Sequence, residues 1–215
     1  FGPFLSSRRD FVDIDSVETV EISKGSGSSL YGSDALGGVV SFTTKGPSRY
    51  VSSDEPFYAG VKYGYSGEDN SSNGTLTLAG GNDRISGLVS YTYRDAEETE
   101  TNGTVAGTGS TREEADPAEI ESNNVSLKVD ISPWEDHTLQ IGYDLFEHEN
   151  QSWILSDWGS VVYGTSIKSR DAFDERERDK LSFDYLYSGE FLFLDSVHVK
   201  FYQQESESNQ MNYLI

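Results

Sequence analysis

Apolar and polar residues take turns along most of this 215-residue chain. In 57–65, Val61, Tyr63 and Tyr65 share one face, with Lys62 and Gly64 on the other. In 75–79, Leu76 and Leu78 sit between threonines, and in 84–93, Ile85, Val89, Tyr91 and Tyr93 oppose Arg84, Ser86, Ser90 and Thr92. In 124–131, Val125, Leu127, Val129 and Ile131 oppose Ser126, Lys128 and Asp130. In 138–145, Leu139, Ile141, Tyr143 and Leu145 oppose Gln140, Gly142 and Asp144. Segments 181–187 and 197–202 repeat the pattern. A repeat of two is the period of a strand, whose successive side chains point to opposite faces. The pattern therefore predicts seven strands.

A different unit precedes them. Val17, Val20 and Ile22 around Glu18 and Glu21 predict one strand, and Val39, Val40 and Phe42 a second. Between them lie Gly25, Gly27, Gly32, Gly37 and Gly38, a density that permits positive φ and close backbone packing. Pro47 removes a ladder donor. A boundary is expected between Gly46 and Tyr50, dividing the chain into 1–49 and 50–215.

The connections alternate in length. A modest polar loop, SGEDNSSNG, joins the first pair of the seven strands, and a tight Gly81-Asn82-Asp83 turn joins the second strand to the third, a hairpin signal. A long stretch from Asp95 to Glu121 follows, then the short Ser132–Asp136, then a long stretch from about Glu147 to Glu177, then a short link near Ser188–Leu194. Tight turns at every second junction are the rhythm of transmembrane barrels. A soluble sandwich rarely sorts its loops so strictly. The polar face, with Lys128, Asp130, Asp144, Asp184, His198 and Lys200, fits both architectures. A sandwich would wet it and bury the apolar face, whereas a barrel would turn the apolar face to lipid and this one to a polar lumen. Loop rhythm and the leading glycine-rich unit favour the barrel. Tyr58, Tyr63, Tyr65, Tyr91, Tyr93, Trp134, Phe146, Tyr185 and Tyr187 lie near strand ends, as aromatic girdles do.

Composition narrows the function. Net charge is −21, with 37 acidic against 16 basic residues, a surface that repels phosphate backbones and argues against nucleic-acid binding. Aromatics at 13% argue against a disordered acidic chain. The absence of cysteine excludes a disulfide framework and thiolate chemistry. No apolar run is long enough for a transmembrane helix, which says nothing against strands. Phe1 opens directly into FGPFLSSRRDF with no leader pattern, so the chain is expected to be an internal portion of something larger. Ile215 is expected in an outer loop.

The run Val17-Glu18-Thr19-Val20-Glu21, then Lys24-Gly25, then Ser29-Leu30-Tyr31-Gly32-Ser33-Asp34-Ala35-Leu36-Gly37-Gly38-Val39-Val40, resembles the end of the plug domain of TonB-dependent outer-membrane receptors. Ser26 departs from the pattern, where the family often has proline. The resemblance implies an all-β fold: the C-terminal part of a plug in 1–49, then in 50–215 about seven antiparallel strands of a plugged barrel of about 22 strands. These residues alone are not expected to close a pore. The phrase YGSDALGGVVSFTTK, with Tyr93-Arg94-Asp95-Ala96-Glu97-Glu98-Thr99-Glu100-Thr101-Asn102-Gly103, is similar to heme and hemoglobin receptors. That likeness implies location in a bacterial outer membrane, contact with its lipid, and active import of an iron-bearing ligand, heme or heme taken from hemoglobin. Coupling would run to the TonB energy-transducing complex through a segment outside this chain. Heme is implied as cargo, with no intrinsic cofactor. Within the same fold the alternatives are a siderophore, cobalamin or glycan receptor. A secreted β-sandwich adhesin or carbohydrate-binding module is the alternative of a different class.

The resemblance also implies roles for single residues. Glu18, Glu21 and Lys24 are plug charges that would bond the plug to the wall and rearrange under TonB, or else ordinary strand-edge charge. Gly25, Gly32, Gly37 and Gly38 shape the plug motif, and Tyr31 either lines the plug–barrel gap or packs on those glycines. Of His137, His148 and His198, only His148, at the base of a long outer loop, lies near a ligand path, the other reading being a solvated loop histidine. The stretch Asp95–Glu121 carries nine carboxylates and Arg112. It reads as a solvated acidic loop, as a Ca²⁺ site without EF-hand spacing, or as a surface that meets a basic protein. No catalytic triad, phosphate loop, paired catalytic carboxylates or metal-ligand spacing is present, so an enzyme is not expected.

Overall fold

The computed structural model describes residues 12–25, 37–162, 164–189 and 195–215. It opens with a 3-10 turn, Ile14–Ser16, leading into β1 (Val17–Lys24), which pairs antiparallel with β2 (Gly38–Thr44). At the start of β2, Gly38 adopts φ +151°, and a Cβ there would lie 2.7 Å from the carbonyl oxygen of Ser23, so glycine is required for this close approach. A second 3-10 turn, Pro47–Arg49, follows.

Seven strands then form one sheet: β3 (Phe57–Tyr65), β4 (Ser72–Gly81), β5 (Ile85–Glu97), β6 (Ala118–Trp134), β7 (His137–Trp153), β10 (Arg170–Tyr187) and β11 (Val197–Leu214). Their order is β11-β10-β7-β6-β5-β4-β3, every pair antiparallel, so consecutive strands are neighbours throughout. A two-stranded hairpin, β8 (Val161–Val162) with β9 (Thr165–Ser166), sits in the connection between β7 and β10. The turn at Gly81-Asn82-Asp83 forms as the sequence predicts. The Asn82 amide donates to the Ile85 carbonyl at 2.8 Å, and the Asn82 side-chain oxygen accepts from the Arg84 and Ile85 amides. No helix among the described residues is long and apolar enough to cross a membrane.

Exposure on the two faces is inverted relative to a soluble protein. Along β6, Leu127 and Val129 are 40% and 38% exposed, while Ser126 and Lys128 between and beside them are 2% and 6% exposed. The same holds across the sheet: Val61, Tyr63, Leu76, Val89, Phe183 and Phe201 are exposed, whereas Thr75, Thr92, Asn124 and Asp144 are buried. An apolar face left open beside a polar face that is covered is the arrangement of a barrel wall in lipid. It removes the sandwich alternative, whose apolar face would be the buried one. On β5, Ile85 to Tyr93 advances about 26 Å at ~3.3 Å per residue. At a tilt of about 40° this covers about 20 Å of height, most of the ~25 Å apolar band of such walls.

Two of the expected girdle aromatics turn the other way. Phe146 is buried on the inner face, and Tyr58 sets its ring 4.7 Å from that of Tyr50. Both occupy the inward register of their strands, with Asp144 and Lys62 respectively. Trp134, Tyr185 and Tyr187 do cluster at one rim around His137, whose ring nitrogen lies 2.7 Å from the Tyr185 hydroxyl.

Strands β6, β7, β10 and β11 are far longer than alternation predicts. Residues 147–153 and 170–177, expected in a long connection, and 203–214, beyond the last expected strand, are paired in the ladder, and β11 carries Leu214 opposite Arg170. Their outer face explains why the signal stops. Glu121, Glu149 and Glu175 lie in register across three strands, as do Glu147, Glu177 and Glu207. Rows of like charge are tolerated only in water, so these ends rise above the lipid. Apolar alternation exists only where one face touches hydrocarbon, while backbone pairing continues beyond it.

Leu127→Arg, near the middle of the outward apolar stretch, is expected to cost about 2–4 kcal/mol of folding stability in a bilayer. The denaturant midpoint of the full-length protein refolded into lipid vesicles measures this. An unchanged or raised midpoint would mean that this face does not meet lipid.

Candidate functional site

The β1–β2 hairpin is fastened to the sheet at its open end, through residues just before β1 and just after β2. Asp13 caps the first turn, accepting from the Asp15 amide at 3.3 Å, and its carbonyl accepts from the Ser16 hydroxyl at 2.7 Å. This short turn presents two carboxylates together. Arg94 of β5 reaches both, donating to Asp13 Oδ1 at 2.8 Å and to Asp15 Oδ2 at 2.6 Å. Lys62 of β3 donates to Asp15 Oδ1 at 2.5 Å, and Lys45, at the exit of β2, donates to the Asp15 carbonyl at 2.6 Å. On the other side of the hairpin, buried Lys128 of β6 donates to the Thr44 carbonyl at 2.7 Å.

Burial pushes the Asp15 carboxyl upward, but the Lys62 hydrogen bond and the charges of Arg94, Lys62 and Lys45 outweigh it, so its pKa falls below 3.8. Asp13 is buried and Arg94 is partly exposed, so the pair is an intermediate case between a buried ion pair and a surface one. Its removal would strand a buried charge.

Above this fastening, the inner face of the sheet encloses space. One cavity of about 340 Å³ is bounded by Asp13, Ile14, Arg94, Ser122, Phe146 and His148. A second, of about 510 Å³, is bounded by Ile120, His148, Asn150, Asp174, Arg176 and Gln210. His148 lines both, and its ring lies parallel to that of Phe146 with centroids 6.4 Å apart.

A family model described as the TonB-dependent Receptor Plug Domain matches residues 3–39. The chain is 32% identical over 213 residues to Hemoglobin-binding protein A of Haemophilus influenzae, covering 95% of this chain and 21% of that protein. It is 30% identical over 221 residues to Hemoglobin and hemoglobin-haptoglobin-binding protein C of the same organism, covering 95% of this chain and 20% of that protein. Residues 3–39 belong to the plug of the TonB-dependent receptor family. The chain spans about a fifth of the length of the curated relatives it matches.

Within this receptor segment the structure distributes the plug-motif residues unevenly. Glu18 pairs with Arg49 at 3.0 Å, both partly exposed. Glu21 and Lys24 are exposed and form no ion pair among the described residues. Gly25 (φ +105°) and Gly37 close the described part of the hairpin, with the Gly25 amide 3.3 Å from the Gly37 carbonyl. Tyr31 and Gly32 lie outside the described residues. The charges that join hairpin to sheet are Asp13 and Asp15, which reading the sequence passed over. The signal available was the Asp13-Ile14-Asp15-Ser16 run before the first strand, with an acidic cap residue at its head.

The outer loops are ordered around a basic residue. Arg112 donates to the carbonyls of Gly107 (2.8 Å) and Ala115 (2.5 Å) and lies within ion-pair distance of Glu114 and Asp116. Asp116 in turn accepts from the Ser156 amide and hydroxyl at 2.9 and 2.5 Å. Residues 98–117 therefore dock on residues 155–158 as one surface, with Arg112 supplying the positive charge at its centre. No group of three or more candidate metal-binding side chains occurs among the described residues.

Arg94→Ala is expected to destabilise the full-length receptor by about 1–3 kcal/mol, because it leaves a buried carboxylate unpaired. Lys62→Ala, removing an exposed ammonium, should cost less than about 1 kcal/mol. Denaturant unfolding of both variants gives the comparison. The pH dependence follows from the lowered Asp15 value: its contribution is fully present above 3.8 and is lost as pH falls through the folded-state value. The melting-temperature difference between wild type and Asp15→Asn should be the same at pH 7 and pH 5 and should shrink only below pH 3.8.

Proposed function

We propose that this chain is the plug-to-barrel section of an outer-membrane receptor that imports heme, taken from hemoglobin, using energy delivered through TonB. Residues 1–49 finish the plug and residues 50–215 begin the wall. The observation that carries this reading is a lipid-exposed wall whose polar inner face is bonded to the plug by Asp13 and Asp15 through Arg94 and Lys62. Such a joint holds the plug at rest and is made of a few charge-assisted hydrogen bonds, each replaceable by water when the plug is pulled. The heme assignment draws on the relatives, whose names record binding of hemoglobin and of hemoglobin-haptoglobin. The outer loops capture the protein ligand, the space beneath them receives heme, and the plug gates passage without breaking a bond in the cargo. The partners are therefore the TonB complex, an extracellular hemoprotein and outer-membrane lipid.

A strain deleted for the full-length gene is expected to lose growth with hemoglobin or hemin as sole iron source and to regain it with the intact gene. Growth unaffected by the deletion, in a strain without another heme receptor, would redirect the ligand toward a siderophore, cobalamin or glycan.

Gating is tested separately. Thr44→Cys with Lys128→Cys, joined by a reducible thiol crosslinker, should abolish import while leaving hemoglobin binding at the cell surface intact. Reduction should restore import. Import that continues with the crosslink in place would exclude movement of the plug at this joint.

A further inference from the structure

We propose that a glycine-floored groove on the outward face of the wall is a binding site for a single phospholipid, whose acyl chain lies between β3 and β6. The inference goes beyond the import reading, because it places a ligand on the outside of the wall. Four strands form the groove. Phe57 of β3 lies opposite Gly80 of β4, Gly80 opposite Gly87 of β5, and Gly87 opposite Val129 of β6. Leu78 and Val89, two positions along from the glycines, are exposed on the outward face, so Gly80 and Gly87 belong to that face as well. The row therefore has no side chain on its two middle strands. Phe57 closes it at one side and Val129 at the other. The space enclosed is about 440 Å³, within the range of small-molecule sites.

Backbone geometry does not require these two glycines. Neither takes the positive φ that neighbouring Gly81 does. A Cβ at Gly80 would meet the Phe57 ring and the Pro56 carbonyl oxygen at 3.7 Å, and one at Gly87 would meet the Lys128 carbonyl oxygen at 3.8 Å. These are ordinary contacts, so what the glycines supply is room. Glycine weakens a strand interior and marks places where a ligand approaches closely. The side chains that face the space are apolar. Lys128, whose backbone borders it, sends its ammonium inward to the Thr44 carbonyl. An occupant must therefore be apolar, and the groove is continuous with the lipid-facing belt, so the occupant is hydrocarbon of the bilayer itself. The groove lies beside the Gly81-Asn82-Asp83 turn, at the end of the wall opposite the long connections. The lipid comes from the leaflet that borders the short turns.

The test uses the full-length receptor purified from outer membranes in mild detergent, with retained phospholipid read from its intact mass under native conditions. Wild type is compared with Gly80→Val/Gly87→Val and with Gly74→Val. Gly74 is an outward glycine farther up β4, opposite Tyr63, with nothing near a Cβ, and serves as the control. Wild type and the control are expected to retain one phospholipid per chain, and retention by the double variant should fall at least about tenfold. Its denaturant midpoint should not fall, because valine suits a strand. If it does fall, the smaller Gly87→Ala carries the comparison, with retention between the two. Equal retention by wild type and the groove variants, no retained lipid in wild type, or equal loss in the control would each overturn the proposal. So would a wild-type dimer that the double variant dissociates, which would give the groove to a second copy. Lipid contact of the whole face is read separately from Leu127→Arg, and import from growth on hemin, so each can fail alone.

Discussion

A strand in hydrocarbon has nowhere to place an unpaired amide or carbonyl, so every backbone group must bond to a neighbouring strand. The rest of this structure follows from that constraint. It imposes an uninterrupted antiparallel ladder from β3 to β11 and leaves the side chains to sort by medium. Leucines, valines and aromatics turn outward to lipid. Thr75, Thr92, Ser126 and Asp144 turn inward, where hydroxyl and carboxylate partners bond across strands, as Ser126 does to Asp144 at 2.7 Å. Covering the polar face and exposing the apolar one would unfold a protein in water, and it is the stable arrangement in a bilayer.

A polar interior makes it feasible to hold a plug by charge. Arg94, Lys62 and Lys128 are inward positions on three strands, and each reaches the hairpin at its base rather than at its tip. The joint combines buried Asp13 and Lys128 with partly exposed Arg94 and exposed Lys62, so it is specific without being permanent. Water entering the lumen could replace its hydrogen bonds one at a time. Apolar packing across the same gap would have to be broken over its whole area at once.

The acidic character of the chain divides by height. Below, the inner carboxylates pair with arginine, lysine and serine. Above the lipid, the outward faces of β6, β7 and β10 carry rows of glutamates that only water can accommodate. The net charge of −21 thus reflects walls and loops that continue well beyond the bilayer, with Arg112 organising the loops between them.

Much of this was written in the sequence. Strict alternation in 124–131 and 138–145 marked strands because one face met lipid. The Gly81-Asn82-Asp83 turn announced its hairpin, and residues 17–40 carried the plug signature. Three features depended on tertiary structure. Alternation alone is symmetric, so which face is covered was decided by what lies against it. Strand ends such as Glu147–Trp153 are polar on both faces, so only the ladder itself reveals them. The plug joint links residues 81 positions apart in sequence, Asp13 and Arg94. No local pattern encodes such a pair, because its partners meet only once the sheet has curved and the hairpin has docked against its inner face.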